Sequence, residues 1–245
     1  YGIWAYILGA GSNVNIYNNK ILELKSANAN SGSYGINGIY INSNGNYNVY
    51  NNFITGFEWT GTTTINGIWY GIGVATSSAS ISANIYHNTV VCNDMFTTGT
   101  AGTLNYAAFY VNVYGTGETR IVNAKNNIFI NLENDFVNYA YIWSNTSGVT
   151  LTSEYNDLYV GDATNGKIGK FGATDCATLA LWQSTAGKDL SSVSQAVNFV
   201  SATDLHLSGA SVGDGNLASA FVGITTDLDG DTRNAYWPYM GADEV

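Results

Sequence analysis

Apolar and polar residues alternate along the first two thirds of the chain in a unit that recurs every 30 to 39 residues. Its most regular copy reads Asn-Val-Tyr-Asn-Asn-Phe-Ile at 48–54 and aligns without gaps with four other segments. Alternation with a period of two is typical of β-strands and not of helices. Recurrence at variable spacing indicates a fixed structural element with inserted loops of different sizes. The five segments begin at Asn15, Asn48, Asn84, Asn123 and Ser153.

A second pattern lies between these segments and combines a small residue, an apolar residue and, in most copies, an aromatic residue. Two strands of this kind cannot bury their apolar faces alone, but stacked coils can. The pattern therefore predicts an all-β parallel β-helix with two strands in each coil and about five coils over residues 1–160. The triplets are Gly2-Ile3-Trp4, Gly38-Ile39-Tyr40, Gly67-Ile68-Trp69, Ala108-Phe109-Tyr110 and Ala140-Tyr141-Ile142.

An Asn-Asn pair, replaced by His87-Asn88 in the third copy and by Asn156-Asp157 in the fifth, marks a bend in every predicted coil. Stacked coils lie ~4.8 Å apart, so equivalent asparagines form columns that pass amide hydrogen bonds along the axis. Asparagine also tolerates the left-handed backbone of a tight bend. We interpret both columns as structural, and the bulk of His87 favours the exposed side for the first. That column is Asn18, Asn51, His87, Asn126 and Asn156, and the second is Asn19, Asn52, Asn88, Asn127 and Asp157.

Residues 161–245 are expected to complete the solenoid with further coils, one short helix and a cap. The helix is predicted from Thr174 to Ala186, with Gly187 just past its end, followed by short strands near 198–200 and 205–207. The end segment is expected to cover the open edge of the last coil. Since the chain begins inside a coil, further coils or another domain are expected before Tyr1.

These features resemble the bacterial secreted right-handed parallel β-helix repeat proteins, the pectate-lyase-like superfamily in the broad sense. The motifs at 167–172, 178–183, 204–207 and 226–233 resemble the terminal module of cell-surface β-helix proteins of Bacteroidetes-like bacteria. The resemblance implies a right-handed parallel β-helix with one short helix. It also implies an extracellular or bacterial cell-surface location, within a larger chain or assembly.

Composition and charge exclude two classes of partner. Charged residues make up 11% of the chain and the net charge is −10, so cations are too few to neutralise nucleic-acid phosphates. No apolar run approaches the ~20 residues that span a bilayer, so we expect no membrane insertion. Cys92 and Cys176 either form one disulfide or are two buried, unreactive thiols.

The sequence does not identify a catalytic residue. A polysaccharide lyase needs a Lys or Arg base, but Lys20 and Lys125 are separated by intervening coils and have no acidic cluster beside them. Loop carboxylates could form a hydrolase pair, for instance Glu133 with Asp135, or Asp94, although surface charge explains them better. No Ser, Cys or Asp partner is evident for the two histidines, His87 and His206. A lyase or glycoside hydrolase with a loop-borne site remains the alternative function.

The motif Asp227-Leu228-Asp229-Gly230-Asp231 is the candidate metal site. Alternating aspartates, here Asp227, Asp229 and Asp231, place carboxylate oxygens on one side of a loop, as calcium requires. The glycine comes too early for an EF-hand. A capping turn in which Arg233 pairs with one of the aspartates explains the motif equally well.

Two aromatic columns carry the remaining functional signal. One contains Tyr17, Tyr50 and Tyr86, with Tyr155 as a further member, and the other contains Trp4, Tyr40, Trp69 and Tyr110. Exposed aromatic rows stack on sugar rings or mark a protein contact surface, whereas covered rows only pack on one another. We therefore predict a non-catalytic extracellular segment of a bacterial surface adhesin or stalk, whose wall binds a polysaccharide or a surface protein.

Overall fold

The computed structural model describes residues 1–6, 9, 11–26, 35–60, 64–77, 80–93 and 100–245, with the backbone alone at 64–68 and 100–105. These residues form a nearly all-β structure, a parallel β-solenoid with one short helix, as predicted. The strands are β1 (Ile3–Tyr6), β2 (Asn13–Tyr17), β3 (Lys20–Ile21), β4 (Lys25–Ser26), β5 (Asn37–Asn42), β6 (Gly45–Tyr50), β7 (Phe53–Ile54), β8 (Glu58–Trp59), β9 (Thr64–Thr76), β10 (Ile81–Tyr86), β11 (Thr89–Cys92), β12 (Thr100–Val113), β13 (Arg120–Lys125), β14 (Ile128–Asn131), β15 (Asn138–Trp143), β16 (Thr150–Glu154), β17 (Asp157–Val160), β18 (Gly166–Phe171), β19 (Thr174–Cys176), β20 (Phe199–Ser201) and β21 (Asp204–Leu207).

Three sheets form the walls of the solenoid, so each coil has three strands and not the predicted two. Sheet A runs β1-β5-β9-β12-β15-β18-β19, sheet B runs β2-β6-β10-β13-β16 and sheet C runs β3-β7-β11-β14-β17. Only the β18–β19 pair in these sheets is antiparallel. The extra corner lies at the Asn-Asn pair, for example between β6 and β7 at Asn51 and Asn52. A bend of two residues is too short to interrupt the sequence pattern visibly. The predicted division at residue 160 stays a prediction, and β18 continues sheet A beyond it.

The second asparagine of each pair forms a hydrogen-bonded ladder inside the solenoid. Asn52 Nδ2 donates to Asn88 Oδ1 at 2.8 Å, and Asn88 Nδ2 donates to Asn127 Oδ1 at 3.0 Å. The ladder continues through Asn156 and ends on the carboxylate of Asp189, which accepts from Asn156 Nδ2 at 2.9 Å. Trp182, Ser153 and Ser192 also donate to that carboxylate.

The predicted alignment of the fifth segment is wrong by one residue. Strand pairing places Lys125 beside Glu154 and Ile128 beside Asp157. Asn156 therefore stacks on Asn127 and Tyr155 takes the left-handed bend position, with φ 54°. The Asn156-Asp157 pair imitates the repeat one position too late.

The first column also differs from its expected environment. Asn51, His87 and Asn126 have left-handed φ angles and point outward, but all three are buried. His87 Nδ1 lies 3.0 Å from the carbonyl oxygen of Tyr239, and Asn51 Nδ2 donates to Thr226 O at 2.7 Å. The prediction that the bulk of His87 keeps this column exposed is therefore wrong, because residues distant in sequence cover it.

The covering layer is residues 217–243, which we call the wall segment. It lies along the outer face of sheet C. The prediction that the end of the chain covers the last coil is therefore wrong for this segment. Apolar side chains join the two, and Arg233 and Asn51 add a buried hydrogen bond of 2.9 Å. The wall segment contributes Leu217, Leu228, Met240 and Ala242, β21 adds Leu205 and Leu207, and sheet C contributes Phe53, Val91, Ile128 and Ile130.

Helix α1 (Leu179–Ala186) closes the end of the core. It begins later than predicted because 174–176 pair with β18 as strand β19, and Thr178 is the N-cap, accepting from Leu181 N at 3.2 Å. Trp182 is fully buried, with its ring 4.9 Å from Tyr141, and a Cβ at Gly169 would come within 2.2 Å of it. In the described chain, no helix has both the length and the apolar character needed to cross a bilayer.

Candidate functional site

The outer face of sheet A carries a groove of about 310 Å³. Outward-pointing side chains of β1, β5, β9 and β12 line it, together with Tyr1. Aromatic rings and amides dominate this lining, and it contains no charged side chain. We call it the aromatic groove. Its lining residues are Tyr1, Trp4, Tyr6, Asn37, Tyr40, Asn42, Tyr70, Ala75, Tyr110 and Asn112.

The rim of the groove is a stack of three exposed rings. The centroids of Tyr1 and Trp4 are 4.9 Å apart, and those of Trp4 and Tyr6 are 4.8 Å apart. Trp4 is 48% exposed, although a large aromatic side chain gains several times the thermal energy from burial. The rim is therefore a preformed apolar surface that a ligand ring can cover.

The floor of the groove is built from Tyr40, Tyr70 and Tyr110. The Tyr70 and Tyr110 rings are parallel, with 5.2 Å between centroids and an interplanar angle of 2°. Tyr70 reaches this position because Gly73 occupies the column between Tyr40 and Tyr110. A Cβ at Gly73 would lie 2.2 Å from the Tyr70 ring, so only glycine leaves room for a continuous floor.

Hydrogen-bonding groups orient the floor. Asn42 Nδ2 donates to Tyr40 Oη at 2.9 Å, and Asn37 Oδ1 accepts from Tyr70 N at 3.1 Å. Burial raises the pKa of Tyr70 and of Tyr110 above the ordinary tyrosine range. Both phenols therefore stay protonated at physiological pH, and the groove offers neutral donors and acceptors.

Three of the four residues predicted for this column lie in the groove: Trp4, Tyr40 and Tyr110. The fourth, Trp69, does not, because it pairs with Tyr106 and points into the core. Gly-Ile occurs twice in β9, at 67–68 and 71–72, and the second copy is the one in register with Gly38-Ile39. The other lining residues were not predicted. Extending the period of two beyond each triplet would have found Tyr6, Asn42 and Asn112.

The second predicted column lies on the outer face of sheet B. Tyr17 and Tyr50 stack with centroids 5.0 Å apart, and Tyr86 Oη donates to Asn84 Oδ1 at 3.2 Å. Strand pairing continues the column with Lys125 and Glu154, so Tyr155 is not part of it. This column packs on itself and ends in charged residues, which suits a structural ladder better than a ligand surface.

The Asp227 carboxylate caps a turn. Its Oδ1 accepts from the backbone nitrogens of Asp229, Gly230 and Asp231 at 2.8–3.0 Å, and its Oδ2 accepts from Glu244 N at 3.1 Å. The three predicted aspartates therefore do not converge as one ligand set. Calcium binding stays a prediction. Of the two explanations, the capping turn agrees with the geometry, although Arg233 pairs with Glu244, at 3.1 Å, and not with an aspartate.

Asp229 instead faces His206, in a cluster that the sequence spacing did not reveal. His206 Nε2 lies 2.5 Å from Asp229 Oδ2, while its Nδ1 contacts Asp204. Partial burial lowers the pKa of His206, but hydrogen bonds to Asp229 and Asp204 outweigh this and raise it above the ordinary value. Lys20 Nζ lies 3.6 Å from the other Asp229 oxygen. The cluster is an ionic contact between β3, β21 and the wall segment.

The remaining chemical candidates occupy structural positions. Glu133 is buried and its Oε1 accepts from the backbone nitrogens of Asn134 and Asp135 at 3.0 and 2.9 Å. Asp94 lies outside the described residues. Cys92 and Cys176 are both buried and free, and burial raises the pKa of Cys92 to about 12. Of the two alternatives for the cysteines, the structure therefore shows unreactive thiols.

Fold and groove together define the class of this protein as a parallel β-solenoid with an aromatic groove on one wall. No protein-family model, curated protein or solved structure matches the chain. Its function is therefore inferred from the groove itself.

Proposed function

We propose that this chain is a non-catalytic, glycan-binding segment of an extracellular solenoid on a bacterial surface, and that it binds a neutral polysaccharide in the aromatic groove. The observation that carries the proposal is a row of stacked, partly exposed rings bordered by amides. The apolar faces of sugar rings pack on aromatic faces. Amides and phenols provide the donors and acceptors that sugar hydroxyls need.

The dimensions of the groove suit a chain and not a single sugar. Its lining comes from four successive strands of sheet A, and strands are spaced ~4.8 Å apart. The lining therefore extends about 14 Å along the solenoid axis. We expect an oligosaccharide of several rings to lie parallel to the axis, from Trp4 towards Tyr110.

Charge favours a neutral ligand. The groove has no charged lining residue, and the whole chain carries a net charge of −10. An acidic polysaccharide would meet a repulsive field without a cation to pair with. The alternative function, a lyase or hydrolase with a loop-borne site, has no observation in the described groove that favours it.

Binding to soluble neutral polysaccharides, measured by affinity electrophoresis and by calorimetry, tests the proposal. Trp4→Ala should weaken binding at least about tenfold, since exposed aromatic anchors dominate such contacts. Trp237→Ala is the matched control, because Trp237 is 64% exposed outside the groove. Equal loss in both variants, or no effect of Trp4→Ala on a ligand that binds, would overturn the groove as the site.

The same samples separate the alternatives. Release of reducing or unsaturated ends from the polysaccharide would support a hydrolase or a lyase instead. Binding to a surface protein but to no glycan would leave the groove as a protein contact surface. The extracellular location is tested independently by protease accessibility of the chain on intact cells.

A further inference from the structure

A second, smaller cavity of about 170 Å³ adjoins the aromatic groove on the outer face of sheet A, and we call it the side cavity. It shares Tyr40, Asn42, Ala75 and Asn112 with the groove, while Ser77 and Tyr114 line the side cavity alone. The groove crosses successive strands, whereas Ser77 and Tyr114 each lie two residues beyond a shared lining residue along the chain. The side cavity therefore extends sideways from the groove, across the solenoid axis.

A small residue opens the groove onto the side cavity. The outward column that starts with Tyr6 and Asn42 continues with Ala75 and Asn112. Alanine has no side-chain atom beyond Cβ, so the column is lowest between the two asparagines. A ligand ring on the floor of the groove can therefore carry a substituent past Ala75 towards Ser77.

Tyr114, which directly follows β12, forms the far end of the side cavity. Tyr114 N donates to Thr76 O at 3.1 Å, and a Cβ at Gly115 would lie 2.5 Å from Ser77 O. The backbones that follow β9 and β12 are thus in close contact, and they hold Tyr114 beside Ser77. Tyr114 is 41% exposed, and its ring can cover one face of a sugar ring.

The chemistry of the side cavity matches that of the groove. The amides of Asn42 and Asn112 and the hydroxyl of Ser77 are donors and acceptors for sugar hydroxyls. The lining contains no charged side chain. The volume, 170 Å³ against 310 Å³ for the groove, suits a single sugar ring beside a chain of several rings.

We propose that the polysaccharide in the aromatic groove is branched, and that a neutral, single-sugar branch occupies the side cavity against Tyr114. The inference rests on the proposed glycan function of the groove and names the class of glycan that the groove takes. The main chain lies along the solenoid axis, and the branch leaves it over Ala75. Tyr114 is then a specificity-determining residue, because it contacts the branch and not the main chain.

Pairs of oligosaccharides that share a main chain and differ in branching test the inference by calorimetry. The pairs are cellotetraose with xyloglucan heptasaccharide, mannopentaose with digalactosylmannopentaose, and xylotetraose with arabinosylxylotetraose. Where the main chain binds, we expect the branched member to bind about fivefold more tightly, as one additional ring contact provides. Equal affinities within every pair that binds, or weaker binding of the branched members, would overturn the branch site and leave the groove standing. Binding of neither member of any pair would overturn the glycan function and the branch site together.

Variants show which residue carries the preference. Tyr114→Ala should lower the affinity for the branched member about fivefold and leave the affinity for the unbranched member unchanged. Tyr114→Phe keeps the face of the ring and should keep the preference. Tyr236→Ala is the matched control, because Tyr236 is 78% exposed outside both cavities. Trp4→Ala should weaken both members of a pair alike. A preference retained in Tyr114→Ala would contradict the inference.

Discussion

Sheets A and C come from the same repeat, yet their outer faces are used differently. On sheet C the outward apolar side chains, such as Phe53 and Ile128, lie beneath the wall segment and are almost fully buried. On sheet A the outward column presents Trp4 and Tyr6 to solvent. One solenoid thus has a wall whose outer face is a second core and a wall whose outer face leaves an aromatic groove open to solvent.

The chemistry of the outward residues explains the difference. Aliphatic side chains on sheet C gain about 1.5–3 kcal/mol each when the wall segment covers them, and they offer nothing to a polar ligand. The groove combines rings with amides and phenols, which can contact both the faces and the hydroxyls of a sugar. The rings at the rim of the groove thus stay exposed, whereas the outward aliphatic residues of sheet C are covered.

Removing Arg233, which holds the wall segment against sheet C, should have the largest effect on stability. Arg233→Ala leaves Glu244 without its buried partner, which lies 3.1 Å away, and removes the bond to Asn51. The free energy of unfolding, measured by urea denaturation, should fall by about 3–5 kcal/mol. Lys25→Ala, which breaks the exposed bridge to Glu58, should leave the urea midpoint nearly unchanged. Equal losses would show that the wall segment is not anchored through Arg233.

Breaking the ladder should weaken the two sheets that meet at it, B and C. Asn88→Ala removes the donors to Asn127, Val49 and Tyr86 and strands the amide of Asn52. We expect a loss of about 2–3 kcal/mol, since buried partners are left unsatisfied. Hydrogen exchange should increase in sheets B and C, which meet at the ladder, and less in sheet A. Increased exchange in only one of sheets B and C would show that these walls are stabilised separately.

Adding one methyl group at Gly73 should disturb the aromatic groove of sheet A and leave the covered face of sheet C unchanged. Gly73→Ala drives a Cβ into the Tyr70 ring, so we expect destabilisation of about 1–3 kcal/mol and several-fold weaker glycan binding. Gly215→Ala is the control, because a Cβ there meets nothing within 4 Å. Unchanged binding in a folded Gly73→Ala variant would exclude the Tyr70 floor from ligand contact.

The smallest expected effect is the dependence of the unfolding free energy on pH through His206, which lies beside the wall segment. Because the pKa of His206 is raised in the folded state, its contribution is complete below the ordinary pKa of about 6.5. It is lost as the pH rises through the folded-state pKa. Partial exposure limits it to about 1 kcal/mol. His206→Gln should abolish this part of the slope between unfolding free energy and pH. A slope unchanged in His206→Gln would assign it to other groups.

The solenoid could be predicted because period-two alternation recurs in each coil and an asparagine stands at the second position of each bend. The predicted register was wrong where a second copy of a short motif lies close to the correct one. This happened at Gly67-Ile68 in β9, where Gly71-Ile72 is in register, and at Asn156-Asp157. The wall segment was misplaced because its contacts, such as Arg233 with Asn51, join residues 182 positions apart. Groove residues Trp4, Tyr40 and Tyr110 followed from the repeat, but Tyr70 did not, since its place depends on a missing side chain at Gly73.

The asparagine ladder has a direction. From Asn19 to Asn156 every side-chain amide donates to the oxygen of the following coil, so the dipoles are aligned and reinforce one another. The Asp189 carboxylate accepts from Asn156 and has no amide with which to donate further, so the series ends there. Because every internal step is chemically the same, whole coils could be duplicated or deleted between Asn19 and Asn156 without leaving a broken link. The wall segment is different, because it bonds Asn51 and Asn126 in particular coils and would have to change with their number.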